Sequence, residues 1–346
     1  MKPNHTTLQR LAGLTCLLGL LSLPSSLFGQ GCVIARGGGG AMITDGGGYL
    51  EPKEWNVNVA FRWFKSDRHF IGDVEQKHRK ANGTQVINNS RFYDVSATYA
   101  WSKRLNTTLT VPYVTHNRSS LYEHRGNNGP RGATQSDGFG DLRLSASYWA
   151  FDPNSDHLKG NLAIGFGVKL PTGDYKDRDI FNRPAGPTVR FVDSSIQPAD
   201  GGLGFTIELQ GFRHLVGNLS TYGNMFYLFN PEGRIEATGF SIPDAYMARG
   251  GFDYRINAVR GLTVSLGGRV EGVPSHDAFG SSIGSRRPGF SVAVEPGVTF
   301  NKGRFTGTVT VPVAVHHRRI TTFGAARPGD AAFADYSINT SFSIRL

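Results

Sequence analysis

From residue 55 to the C-terminus the chain alternates. Short runs place apolar or small residues at every second position and polar residues between them, the period of a β-strand with two different faces. The first run puts Trp55, Val57, Val59, Phe61 and Trp63 on one face and Asn56, Asn58, Ala60 and Arg62 on the other. Similar faces recur, among them Tyr93-Val95-Ala97-Tyr99-Trp101, Leu162-Ile164-Phe166-Val168-Leu170, Leu262-Val264-Leu266-Gly268-Val270 and Tyr336-Ile338-Thr340-Phe342-Ile344-Leu346. Apart from tyrosine, none of these apolar positions is ionisable. The opposite faces hold Arg62, Asp94, Arg143, Lys169, Glu208, Arg249, Asp253, Arg255, Arg269, Glu271, Glu295 and Arg345. A charge facing lipid near the midplane costs about 2–4 kcal/mol, and one facing a wet lumen costs little. Trp63, Tyr99, Trp101, Tyr113, Tyr148 and Phe300 gather near run ends, as rings at two lipid–water interfaces do.

The connections between runs alternate in length. Those at 102–104, 152–159, 215–218, 257–261 and 301–304 are short, while 66–90, 117–138, 172–202, 230–243, 274–288 and 317–334 are long and polar. The fold class expected is therefore all-β: a transmembrane antiparallel up-and-down β-barrel of about twelve strands, with short periplasmic turns and long extracellular loops. A β-propeller predicts neither this asymmetry nor a charge-free face. The lumen-lining candidates are Arg62, Asp94, Arg143, Lys169, Glu208, Arg269, Glu271, Glu295 and Arg345. Small residues between them, such as Gly165, Gly167, Ser265, Thr308 and Ser341, favour an open bore.

The N-terminus has targeting order. Lys2 and Arg10 precede an apolar stretch at 11–23, followed by Pro24, Ser25, Ser26 and Gly29. A signal peptide over 1–30 is expected, cleaved on export to the bacterial outer membrane. A Gly-rich segment, 31–53, follows as a candidate plug, and 54–346 forms the barrel. With 2 Cys, one of them at Cys16 in the leader, the mature chain has no internal disulfide. Lipidation of Cys32 is disfavoured by Gly29 three positions before it. The mean hydropathy of -0.27 leaves no helical span outside the leader, a test that a barrel escapes.

Two motifs bracket the middle strands. Gly138-Phe139-Gly140-Asp141-Leu142 opens one strand, and Lys169-Leu170-Pro171-Thr172-Gly173-Asp174-Tyr175 closes the next. Taken singly they are turn chemistry. At this spacing, and with GNLAIGFGVKLPTGD following SYWAF, residues 137–175 resemble the outer-membrane channel family named for the meta-pathway of phenol degradation. That resemblance implies a passive channel for small hydrophobic or aromatic compounds, and no binding residues carry over from it.

Pro112 and Pro312 fall on the lumen-facing parity near the expected outer ends of their strands. They suggest bulges that tip the rim inward. With His116 and His316 they form the rim candidates, beside His317, Arg318 and Arg319. Adjacent histidines on a strand point to opposite faces, so no metal site is expected. Asp174, Asp177 and Asp179 lack the ligand pattern of a calcium loop, and no cofactor is implied. No Ser–His run suits a barrel hydrolase, and an enzyme is not expected. The pI near 9.7 and formal charge of +10 point to lipopolysaccharide or acidic solutes, not to nucleic acid, for an exported barrel. The expected function is an outer-membrane channel for passive uptake of small hydrophobic or aromatic solutes. Its partners would be outer-membrane lipid, lipopolysaccharide and the barrel assembly machinery. A closed structural or surface-interaction barrel with ligand-binding loops is the alternative. The terminal strand ends on Leu346, a weaker assembly signal than an aromatic.

Overall fold

The computed structural model describes residues 49–346 apart from 125–128, 154–158, 283–285 and 322–328. The expected signal peptide, both cysteines and residues 31–48 lie outside the described residues. Among the described residues twelve strands form one closed antiparallel barrel. They are β1 (Trp55–Ile71), β2 (Ile87–Ala100), β3 (Leu105–Ser120), β4 (Gly132–Phe139, resuming as Arg143–Trp149), β5 (Gly160–Lys169) and β6 (Gly204–Val216). The round continues with β7 (Leu219–Phe229), β8 (Ala245–Arg255), β9 (Leu262–Val273), β10 (Gly289–Lys302), β11 (Phe305–Thr310, resuming as Val313–Arg319) and β12 (Ala331–Arg345). Each strand pairs with the next, and β12 returns to β1 through a ladder from Asn56↔Arg345 to Phe70↔Ala331. No described helix is long and apolar enough to cross a membrane.

The two faces are those of the alternation. Val59, Leu109, Leu144, Phe166, Met225, Leu266, Val298 and Phe342 stand exposed on the outside. Rings meet near both ends of this apolar band: Trp55 on Tyr99 at 4.9 Å and Tyr99 on Trp101 at 4.8 Å towards the short turns. Trp63 lies on Tyr336 at 5.8 Å and Tyr113 on Phe139 at 5.4 Å towards the long loops.

Several strands run further than their apolar alternation. β1 continues to Ile71, β4 begins at Gly132 and β12 at Ala331, so the long connections shrink to 72–86, 121–131 and 320–330. Hydrogen bonding continues into the aqueous zone, where an outward apolar residue is no longer required. A five-residue helix, Lys77–Ala81, sits in the first of these loops, and a hairpin (Arg178–Arg183 with Gly186–Phe191) rises from the third, 170–203.

The lipid face generates a test. Leu266→Arg, on a side chain 59% exposed outside the barrel, is expected to cost about 2–4 kcal/mol in urea unfolding from lipid. Ser343→Arg, on the inner face near the short-turn mouth, is expected to cost about 1 kcal/mol or less. Equal costs would contradict the assignment of faces.

Candidate functional site

The inward charges do not line an open bore; they join across it. Arg62 on β1 meets Glu271 on β9 at 2.6 Å, although these strands are not neighbours in the barrel. Glu271 also pairs with Arg269 at 2.8 Å, Arg269 approaches Glu295 at 3.7 Å, and Arg249 donates to Glu295 at 3.2 Å. Arg143 on β4 reaches over β3 to Asp94 on β2 at 3.1 Å. Buried charges persist only when paired and hydrogen-bonded, so one such ladder implies the placement of its members. Glu208 lies half-buried in the same wall beside Gly165, and Arg345 stands at the short-turn mouth.

Lys169 leads to an arrangement that the spacing of the two motifs did not reveal. Its amine lies against Asp200 and 3.8 Å from Asp141. Asp141 accepts from the backbone N–H groups of Gly173 (3.1 Å) and Asp200 (3.3 Å). Leu142 N donates to Thr172 Oγ1 at 3.0 Å, and Asp174 N to the Phe139 carbonyl at 2.9 Å. The motif at 138–142 and the motif at 169–175 are thus one interlocked unit, formed where β4 is interrupted. Gly173 has to be glycine here, because a Cβ would come within 2.5 Å of the Gly140 carbonyl carbon. The unit fixes the base of the third loop and turns residues 198–200 into the barrel.

Beneath that loop lies a lumen cavity of about 140 Å³. Its lining mixes apolar side chains (Phe92, Pro112, Val114, Phe226, Leu228) with the charged groups Arg62, Asp94, Arg143, Lys169, Asp200 and Arg269, and Pro198 and Ala199 of the loop complete it. Pro112 therefore sits mid-wall and not at the rim: β3 continues eight residues past it to Ser120, and the neighbouring β4 is the strand that breaks, at 140–142. Pro312 lies in the interruption of β11, also within the wall.

The other two rim candidates separate. His116 is buried on the inner face, with Nδ1 2.9 Å from Ser90 Oγ and its ring 5.3 Å from Phe92. His316 points outward, 3.5 Å from Asp73. A bulge between Val292/Ala293 and their partners sets Val315 and His316 on the same side. One extra residue inverts the parity of all that follows, so His317 and Arg319 are buried while Arg318 is exposed.

Contacts reach into the bore from both ends. At the long-loop end Arg118 pairs with Glu123 at 2.9 Å and approaches Asp193 at 3.5 Å, while Arg287 donates to both oxygens of Asp193 at 2.7 and 2.6 Å. This ties the second, third and fifth loops into a roof. A second tie joins Asp330 to Arg79 at 2.6 Å and to His69 at 3.1 Å. At the short-turn end Lys53 takes a positive φ of 72°, strained for a side chain with a Cβ, and turns the preceding chain inward. The Tyr49 ring then lies 5.0 Å from Trp149 and 6.0 Å from Phe212, both inward-facing, and Arg345 donates to the Tyr49 carbonyl at 3.5 Å.

The architecture is similar to that of an outer-membrane channel from Pseudomonas putida F1, with a TM-score of 0.55 and 12% identity over 88% of this chain and 100% of that one. The β domain of the Bordetella autotransporter BrkA gives 0.48 at 14% identity, covering 85% of this chain and 100% of its own. The P. putida toluene transporter TodX gives 0.41 at 9% identity, covering 86% and 90%. The first likeness shows the fold, that of an outer-membrane β-barrel. No family model and no curated protein matches the sequence, so the resemblance of residues 137–175 rests on their two motifs.

The roof makes a prediction in pH. Burial would push the Asp193 carboxyl up, but Arg118 and Arg287 overcome it and hold the group well below its ordinary 3.8. Asp330 is held low in the same way, against burial, by Arg79 and His69. A depressed carboxylate stabilises fully above its unfolded value, and that stability is lost as pH falls through the folded one. The roof is therefore expected to hold from neutral pH to about 4 and to loosen progressively below it. Asp193→Asn, which leaves two buried guanidiniums without their shared anion, is expected to cost about 3–5 kcal/mol locally. At pH 7 it should expose the 178–191 hairpin to trypsin; a hairpin as resistant as wild type would contradict the roof.

Proposed function

We propose that this barrel is an outer-membrane channel through which small hydrophobic or aromatic solutes pass passively. The observation that carries the reading is the lumen cavity. An apolar cavity of about 150 Å³ holds one benzene, and this one has about 140 Å³, with Phe92, Pro112, Val114, Phe226 and Leu228 in its wall. The ion pairs below it matter as much. A guanidinium that already binds a carboxylate has its charge answered, so a weakly polar solute can pass it without having to supply a counter-charge. Hydrated ions gain less, since the same pairs narrow the route. Arg62, Asp94, Arg143, Lys169, Glu208, Arg269, Glu271 and Glu295 are then the residues that set the bore, with Arg345 at its exit. The resemblance of residues 137–175 agrees with a channel.

On this reading residues 31–53 are a plug whose inner end is seated by Tyr49. The reading also includes a cleaved signal peptide at 1–30, insertion by the barrel assembly machinery, and contact of the loop arginines and lysines with lipopolysaccharide. The ion-paired roof favours a second reading, a shut barrel whose loops bind partners.

Proteoliposome uptake separates the two. Wild-type barrel is expected to admit toluene faster than protein-free vesicles do and to exclude disaccharides. Removal of residues 31–53 should raise uptake severalfold, and Tyr49→Ala should raise it by less. Uptake unchanged by the deletion would remove the plug. No uptake with or without the segment would leave the shut barrel.

A further inference from the structure

The roof arginines are engaged by carboxylates: Arg79 by Asp330, Arg118 by Glu123, Arg286 by Asp277 and Arg287 by Asp193. The third-loop hairpin is different. Lys176, Arg178, Arg183 and Arg190 form no ion pair with any described residue. Arg178 lies over a ring instead, 4.1 Å from the Phe191 centroid, and Lys176 lies 4.9 Å from that of Tyr175. Burial, and then the like charge of Arg190, lower the Arg183 guanidinium from its ordinary value. The hairpin stands at the barrel wall. Its first strand follows the edge of upper β4 that pairs with no described strand, and Gln135 N donates there to Asp179 Oδ2 at 2.7 Å. Phe181 turns towards the roof and stacks on His124 at 5.4 Å. Alternation then turns Arg178 and Ile180, with Val189 opposite Ile180, away from the roof, and all three are exposed. On the same side of the barrel Arg91 stands outward on β2, exposed and in no ion pair with a described residue. It is the next outward residue towards the loops after Tyr93, whose ring meets Phe61 at 5.2 Å in the girdle. Register carries it through Thr115 on β3 to Asp137 on β4, two residues from Gln135.

We propose that Arg91 and the hairpin cations Lys176, Arg178 and Arg190 form a docking surface for phosphorylated lipid of the outer leaflet. The inference deepens the lipopolysaccharide contact included in the proposed function, by naming the cations that make it. Three observations carry it. The charges have no carboxylate to answer them, and a phosphate offers a guanidinium the acceptor oxygens it lacks. Arg91 lies just beyond the ring girdle, the height at which the headgroups of a leaflet begin. Ile180 and Val189 expose apolar surface beside the cations, and a surface that carries both suits an anionic lipid better than a soluble anion. The paired Arg318, outward on β11 and 3.7 Å from Asp73, has its charge already met and is not part of the surface.

Titration of the folded barrel in detergent with lipid A, and with the same lipid A stripped of phosphate by a phosphatase, tests the surface. The phosphorylated form is expected to bind about tenfold more tightly or better, and to lose affinity as salt is raised. Arg91→Ser, Arg178→Ser and Arg190→Ser should each weaken it about fivefold, the worth of one basic residue at an anionic leaflet. Arg318→Ser should leave it unchanged. Resistance to unfolding in SDS shows that each variant has kept its barrel. Equal affinity for the two lipids, or a folded triple variant that binds as wild type does, would overturn the surface, as would Arg318→Ser matching Arg178→Ser. Toluene uptake measured on the same protein keeps the channel reading apart. Phosphate-dependent binding without uptake would sink the channel and keep the surface; uptake with binding indifferent to phosphate would do the reverse.

Discussion

In hydrocarbon there is no water to satisfy a backbone N–H or C=O, so a spanning sheet must have no edge. The ladder between β12 and β1, from Asn56↔Arg345 to Phe70↔Ala331, is the contact on which the rest of this molecule depends. Once it closes, every strand has a lipid side and a lumen side, and the period of two decides which residues go where. Leu109, Phe166 and Leu266 face outward because nothing polar can. Arg62, Arg249, Arg269, Glu271 and Glu295 face inward for the same reason, and in a bore of twelve strands they are near enough to pair.

That pairing gives the lumen its character. A barrel of this width lies between the eight-stranded kind, filled by side chains, and the sixteen-stranded kind, which leaves an aqueous channel. Here the space divides. Charges meet across the bore between β1 and β9, and apolar side chains collect beside them at Phe226, Leu228, Ala245 and Met247. The third loop enters over this apolar zone because Asp141 and Lys169, from two different strands, hold its residue Asp200. Interrupting β4 at 140–142 frees the backbone groups that make the interlock, so a break in the wall serves to place the loop.

How much of this could be read from the sequence depended on whether lipid enforced it. The outward faces, the inward charges and the alternation of short and long connections were legible because a misplaced charge in hydrocarbon is costly. Strand ends were not. Residues 66–71 and 132–138 continue the hydrogen-bond ladder beyond the apolar band, where nothing in the residue pattern has to alternate. His316 was grouped with His116 at one rim, but a bulge that adds one residue without a sequence signal turns it outward, and Pro112 was placed at a rim because strand length was underestimated. Partners across the lumen, such as Arg62 with Glu271, are set by barrel closure and have no spacing in the chain. Asp141, Gly173 and Asp200 were visible as turn residues, but that they bind one another was not. Tyr49 fell within the candidate plug, and the positive φ at Lys53, the turn that seats it, carried no glycine to announce it.

In the channel we propose, solute travels through the lumen cavity. Thr308, 8% exposed on the cavity wall, offers a handle for testing it directly. In a barrel carrying Thr308→Cys and Cys32→Ser, reaction with benzyl methanethiosulfonate would fill the cavity with a tethered ring. Toluene flux into vesicles is predicted to fall to the protein-free rate on modification and to recover when the disulfide is reduced. Flux unchanged by a fully modified cysteine would contradict the account, because the solute would then cross by another route.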